Sequence, residues 1–148
     1  MTEGGTGVGR VGPRAVVAYD GSAASDRALR FALDLTQRLD GEVWVVHALI
    51  GPSTIIEPRT DEERATEPHA IESGLQALQR KVDPEGRFFH FEVREGPAAD
   101  VILAVAREVR ADFLVVGTRG LRGASRMLLG SVSQAVVARA PCPVTIVP

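Results

Sequence analysis

The chain holds a single cysteine, Cys142, set between Pro141 and Pro143, so no disulfide can close within it. A lone thiol fits a reducing compartment and leaves only a bridge between two chains open. No apolar run approaches the ~18 residues that a membrane-crossing helix needs. The opening, Met1 to Pro13, has five glycines and lacks the basic segment and apolar core of a secretory leader. It is expected to be a flexible tail, and the protein a cytoplasmic one without a membrane partner. Basic excess is missing too: 17 Lys and Arg stand against 19 Asp and Glu, a net charge of -2. With no basic field to gather phosphates, no nucleic acid is expected as partner. What is present, 45% hydrophobic and 24% charged residues over 148 positions, suits one globular domain, expected to span residues 14–148.

Apolar runs and helical periodicities alternate along that span. Ala15 to Tyr19 reads as a strand, and Asp20-Gly21-Ser22 as a turn. Ala28, Leu29, Ala32, Leu33, Leu35 and Leu39 then recur at helical spacing up to Gly41. Val43 to Leu49 is a second strand, apolar enough to be buried on both faces. Ile50 to Pro68, with three prolines and five acidic residues, reads as an irregular acidic excursion, and His69 to Val82 as a helix. Phe88 to Val93 alternates apolar with polar, which places it at or near a sheet edge. A helix begun by Pro97 carries Val101, Ile102, Val105 and Val109. A fourth strand, Asp112 to Gly117, a helix from Ser131 to Ala140 and a final strand, Val144 to Val147, complete the chain. Such alternation predicts an α/β fold: one doubly wound, five-stranded parallel sheet with helices on both faces. Its ligand cleft should lie at the carboxyl ends of the first and fourth strands, where the strand order reverses.

The segment between that fourth strand and the next helix is the most informative in the chain. Gly117 and Gly120 lack a Cβ, which lets the backbone turn through positive φ and bring N–H groups to an anion. Gly130, Ser131, Val132 and Ser133 stand where a helix begins, with free N–H groups, a positive dipole end and two hydroxyls. Arg119, Arg122 and Arg126 add positive charge. Neither G-x-x-x-x-G-K-[ST] nor G-x-G-x-x-G occurs, so the loop is no Walker site and no dinucleotide fingerprint.

Gly117, Gly120, Gly130 and Ser131 do match G-x2-G-x9-G-[ST]. With Val16-Val17-Ala18-Tyr19-Asp20-Gly21-Ser22 and Ala140-Pro141-Cys142-Pro143-Val144-Thr145-Ile146-Val147, the chain resembles the ATP-binding branch of the universal stress protein family. The resemblance implies a Rossmann-like domain holding ATP, with or without Mg²⁺. It places phosphates on Gly117, Arg119, Gly120, Gly130, Ser131, Val132 and Ser133, with the two serine hydroxyls donating. It places the nucleoside at Ala18, Tyr19 and Asp20, and the adenine edge against the backbone of Ala48. Arg119 stands where many relatives carry histidine. Asp20 has a second reading as a cap of the turn into the first helix, although Ser22 suits that cap better. His47 reads as a satisfied strand histidine.

The signs of catalysis are thin, since no lysine and no carboxylate pair stand in the loop, and His47, His69 and His90 are scattered. No metal-ligand set and no catalytic residue is expected. The reading is an adenine-nucleotide-binding stress-response module with little or no turnover. A slow ATPase or autophosphorylating enzyme and a nucleotide-free dimerisation module are the alternatives. The apolar final strand needs covering, which, like the resemblance, implies a homodimer through it. Thr145→Pro is the substitution expected to strip an N–H from that edge.

Overall fold

The computed structural model describes residues 12–49, 61–118 and 129–148, with residues 61–68 as backbone only. Nine elements alternate: β1 (Arg14–Ala18), α1 (Ala23–Arg38), β2 (Glu42–Leu49), α2 (Asp61–Val82), β3 (Phe89–Glu95), α3 (Ala98–Glu108), β4 (Phe113–Gly117), α4 (Ser131–Arg139) and β5 (Val144–Val147). The strands form one five-stranded sheet in the order β3-β2-β1-β4-β5, every pair parallel. The order reverses between β1 and β4, as expected from the sequence.

Side chains alternate across a strand, so a strand covered on both faces must be apolar at every position. Val16 and Val17 of β1 are adjacent, point to opposite faces and are both fully buried. Val17, Val43, Val45 and Val115 pack under α1 and α2 with Ala28, Leu29, Ala32 and Leu75. Val16, Val46, Leu114 and Val116 pack under α3 and α4 with Val101, Ile102, Val105 and Val136. Each such valine or leucine contributes about 1.5–3 kcal/mol by leaving water.

Local signals set the ends. Ser22 caps α1, its hydroxyl accepting from the Ser25 N–H at 3.2 Å. The helix α2 differs from expectation, because it starts at Asp61, eight residues ahead of His69. Asp61, Glu62 and Glu63 open it in sequence, and acidic residues are favoured at a helix start. Pro68 withholds one N–H without ending the run. The part of the acidic excursion from Asp61 to Pro68 is therefore helical, and residues 50–60 lie outside the described residues.

Two glycines owe their identity to packing. After α1 the left-handed residue is Asp40, at φ 54°, and Gly41 is needed because a Cβ there would stand 2.3 Å from the Pro13 carbonyl oxygen. Gly117 is likewise absent from the left-handed region, which corrects the expected positive-φ turn. A Cβ on it would stand 2.9 Å from the Ala24 Cβ and 3.0 Å from the Ala24 carbonyl carbon. This glycine lets β4 pass under the first turn of α1.

Candidate functional site

Three strand ends and one helix start meet at the reversal of strand order. At the end of β1, the Tyr19 N–H donates to the Val46 carbonyl at 2.9 Å, and the Tyr19 carbonyl accepts from His47 Nδ1 at 2.8 Å. Since a carbonyl can only accept, this fixes the proton on Nδ1 and makes His47 a clamp between β1 and β2, in keeping with a satisfied strand histidine. The Tyr19 hydroxyl donates to Asp26 Oδ1 at 2.7 Å. Burial, and then that bond and the charges of Asp26 and Asp20, push the phenol up to about 12, so it keeps its proton.

Asp20 sits at the turn itself. One carboxylate oxygen accepts from the Ser22 N–H at 2.9 Å, an Asx turn. The Ser22 cap therefore does not release Asp20, as the sequence suggested it would: Oδ1 shapes the turn. Oδ2 has no hydrogen-bond partner among the described residues. Ala18, the last residue of β1, is buried in the core on the side of α3 and α4.

Ala48 is placed by the alternation of the ladder. The Val46 carbonyl faces β1, so the N–H and C=O of Ala48, two residues on, face the same way. But β1 ends at Ala18. The two polar groups of Ala48 look past its end, without a main-chain partner from β1 among the described residues. This is the edge at which backbone alone can read a hydrogen-bonding base.

Across β1, α4 begins beside the end of β4. The Gly130 N–H donates to the Thr118 carbonyl at 2.9 Å, drawing the helix start to the strand end. Gly130 is the N-cap and has no side chain to cap with. The first N–H groups of α4, those of Ser131, Val132 and Ser133, thus have no partner among the described residues and are open to a ligand. The Ser131 side chain is exposed, while that of Val132 packs into the core. The Ser133 hydroxyl, expected to donate to a phosphate, turns back to the Gly130 carbonyl at 3.1 Å and is buried, so only its N–H remains toward the cleft.

Gly130 tests whether this cradle fits an anion. Its backbone, φ −66° and ψ 165°, is open to any residue. A Cβ there would meet the Thr118 carbonyl oxygen at 3.5 Å and Ser133 Oγ at 3.6 Å, ordinary contacts. Among the described residues neither conformation nor packing requires glycine, and what its missing Cβ leaves free is the space before the helix N–H groups. Those groups, the dipole end and the missing side chain fit a phosphate. Arg119 and Gly120 lie outside the described residues, as do Arg122 and Arg126.

An open parallel sheet with a cleft at its reversal point defines a doubly wound, Rossmann-like α/β protein. The model of the universal stress protein family matches residues 13–148, and the chain belongs to that family. It is 36% identical over 139 residues to a universal stress protein of Thermus aquaticus, covering 89% of this chain and 96% of that protein. Among solved structures it is similar to a universal stress protein in complex with cAMP, with a TM-score of 0.68 and 27% identity over 93% of this chain and 97% of the other. It is also similar to the Archaeoglobus fulgidus universal stress protein in complex with dAMP, with a TM-score of 0.66 and 29% identity over 94% of this chain and 99% of the other. No described helix is long and apolar enough to cross a membrane.

Proposed function

We propose that the chain is a cytoplasmic, homodimeric stress-response module that binds an adenine nucleotide, ATP with or without Mg²⁺, across the ends of β2, β1 and β4. The observation that carries this reading is the uncapped start of α4, where nothing among the described residues requires Gly130 to be glycine. Adenine fits the outward backbone of Ala48, the ribose the free oxygen of Asp20, and the phosphates Gly130, Ser131, Val132 and Ser133. Tyr19 and Ala18 shape the floor between them. Arg119 and Gly120 belong to the same proposed set through the signature they complete. Relatives with cAMP or dAMP bound support the adenine class. Bound Mg²⁺ would neutralise phosphate charge.

The nucleotide acts here as a signal. Residues 117–133 contain no lysine and no carboxylate, so nothing in the loop activates water or a hydroxyl. Phosphate release should fall below about one per minute, far under the ordinary enzymatic ~1–1000 per second. Faster release that disappears in Ser131→Ala would favour the slow-ATPase reading.

The experiment is a thermal shift on protein stripped of nucleotide, with mass spectrometry of whatever the purified protein releases. ATP at about 100 times its dissociation constant adds about 2.7 kcal/mol, a rise of roughly 5–10 °C for a domain of this size. Gly130→Val should abolish the rise, because its branched side chain fills the anion space. An unchanged rise in that variant would move the phosphates elsewhere.

A further inference from the structure

On the face opposite α3 and α4, a cavity of about 290 Å³ lies between α1 and α2. Leu29 and Leu33 of α1 and Leu75 and Leu78 of α2 form its apolar wall. Two features of that wall lack a reason in the fold.

The first is Gly74. It stands in the interior of α2, where glycine is the poorest helix former after proline. Its φ is not positive, and apart from the helix's own backbone no atom of the described residues lies within 4 Å of where its Cβ would be. Neither conformation nor packing calls for glycine, and its effect is to keep the cavity open. The second is Arg30, exposed at the rim. Asp26, four residues earlier, is its natural helical partner. The Tyr19 hydroxyl instead holds Asp26 Oδ1 at 2.7 Å, and Arg30 makes no ion pair among the described residues. Tyr19 and Asp26 also line the cavity, with Asp26 Oδ1 held by the Tyr19 hydroxyl rather than by Arg30.

We propose that this cavity binds a small carboxylate with an apolar tail: the Arg30 guanidinium takes the carboxylate and the four leucines take the tail. A planar guanidinium matches a carboxylate through paired hydrogen bonds. Nearby Asp26 favours a singly charged head over a doubly charged phosphate, which it would repel more strongly. The volume admits on the order of ten non-hydrogen atoms. The cavity shares Tyr19 with the strand-end cleft, but its other lining residues stand on α1 and α2, so carboxylate binding there is tested whether or not a nucleotide binds in the cleft.

Octanoate is the probe, titrated into the ¹⁵N-labelled full chain while the amides of Gly74 and Leu33 are followed. A saturable shift at both is expected, with octan-1-ol bound about tenfold more weakly because it lacks the charge-assisted contact. Arg30→Gln, at an exposed position, should lose the same tenfold. Gly74→Leu should fill the cavity and remove binding, with circular dichroism confirming its fold. No saturable shift in the parent, equal affinity for octan-1-ol, unchanged affinity in Arg30→Gln, or full affinity in folded Gly74→Leu would each overturn the proposal.

Discussion

The two edges of the sheet are finished in opposite ways. At β3 the first outward-facing residue, Phe89, has both backbone groups occupied by side chains: its N–H donates to Asp83 Oδ2 and its carbonyl accepts from Gln79 Nε2, each at 2.8 Å. Beyond it the strand carries His90, Glu92, Arg94 and Glu95, and Arg94 is clasped by Glu92 and Glu108. The strand β5 has no charged residue. The Pro143 and Val147 carbonyls accept from Leu114 of β4 and from Thr118 just after it, so alternation turns Pro143, Thr145 and Val147 inward. Val144 and Ile146 face out, without partners among the described residues. A free edge invites another strand, and charge with covered groups refuses one. The difference favours β5 as the dimer edge in the proposed function.

The largest effect should come from proline in β5, and the alternation decides which proline. Thr145→Pro, the obvious choice from sequence, removes an inward N–H and so damages the β4–β5 ladder itself. It should cost about 3 kcal/mol, seen as a melting temperature lower by roughly 10 °C. Ile146→Pro removes an outward N–H instead. It should cost about 1 kcal/mol of side-chain packing, keep its circular dichroism and become monomeric at micromolar concentration by light scattering. A folded Ile146→Pro that stays dimeric would place the interface elsewhere.

Next in size is the cap on β3. The buried Asp83 carboxylate accepts from the N–H of Phe88 at 2.6 Å and of Phe89 at 2.8 Å. Burial alone would raise its pKa, but the N–H groups of Phe88, Phe89 and Arg87 outweigh it and hold the group below the ordinary 3.8. A lowered folded value means that the carboxylate stabilises fully above 3.8 and that this contribution is lost as pH falls through the folded value. Asp83→Asn should therefore cost about 1.5–3 kcal/mol in urea unfolding at neutral pH, and the gap from the parent should close on acidification. A gap that widens in acid would assign the stabilisation to another group.

How far the sequence foretold these features depended on whether the deciding contact was local. Strands β1 to β5 were legible from continuous apolar runs, and the edge position of β3 from the alternation of Phe89, His90, Phe91 and Glu92. The cleft at the ends of β1 and β4 followed from the order of elements. Glycine misled, because sequence does not separate a glycine needed for φ from one needed for space. Gly41 is required by the passage of Pro13 and Gly117 by the passage of Ala24, contacts made by distant segments. The start of α2 was hidden by Pro68, read as a breaker although acidic residues favour the turns before it. The inward Ser133 hydroxyl and the tie between Asp20 and the Ser22 N–H were likewise invisible, since hydroxyls and carboxylates choose among several nearby partners.

The smallest effect separates the two halves of the β3 cap. Gln79→Ala leaves Asp83 on the Phe89 N–H and exposes only the Phe89 carbonyl, which water at the sheet edge can solvate. The lost bond is between neutral groups, worth about 0.5–1.5 kcal/mol, and alanine returns a few tenths through its better helix propensity. The expected net loss is about 0.5 kcal/mol in urea unfolding, with no change in oligomeric state, because a carbonyl without its neighbouring N–H offers a partner strand only half of a pairing site. A loss as large as that of Asp83→Asn, or association through β3 that persists in Ile146→Pro, would mean that Gln79 rather than the carboxylate closes this edge.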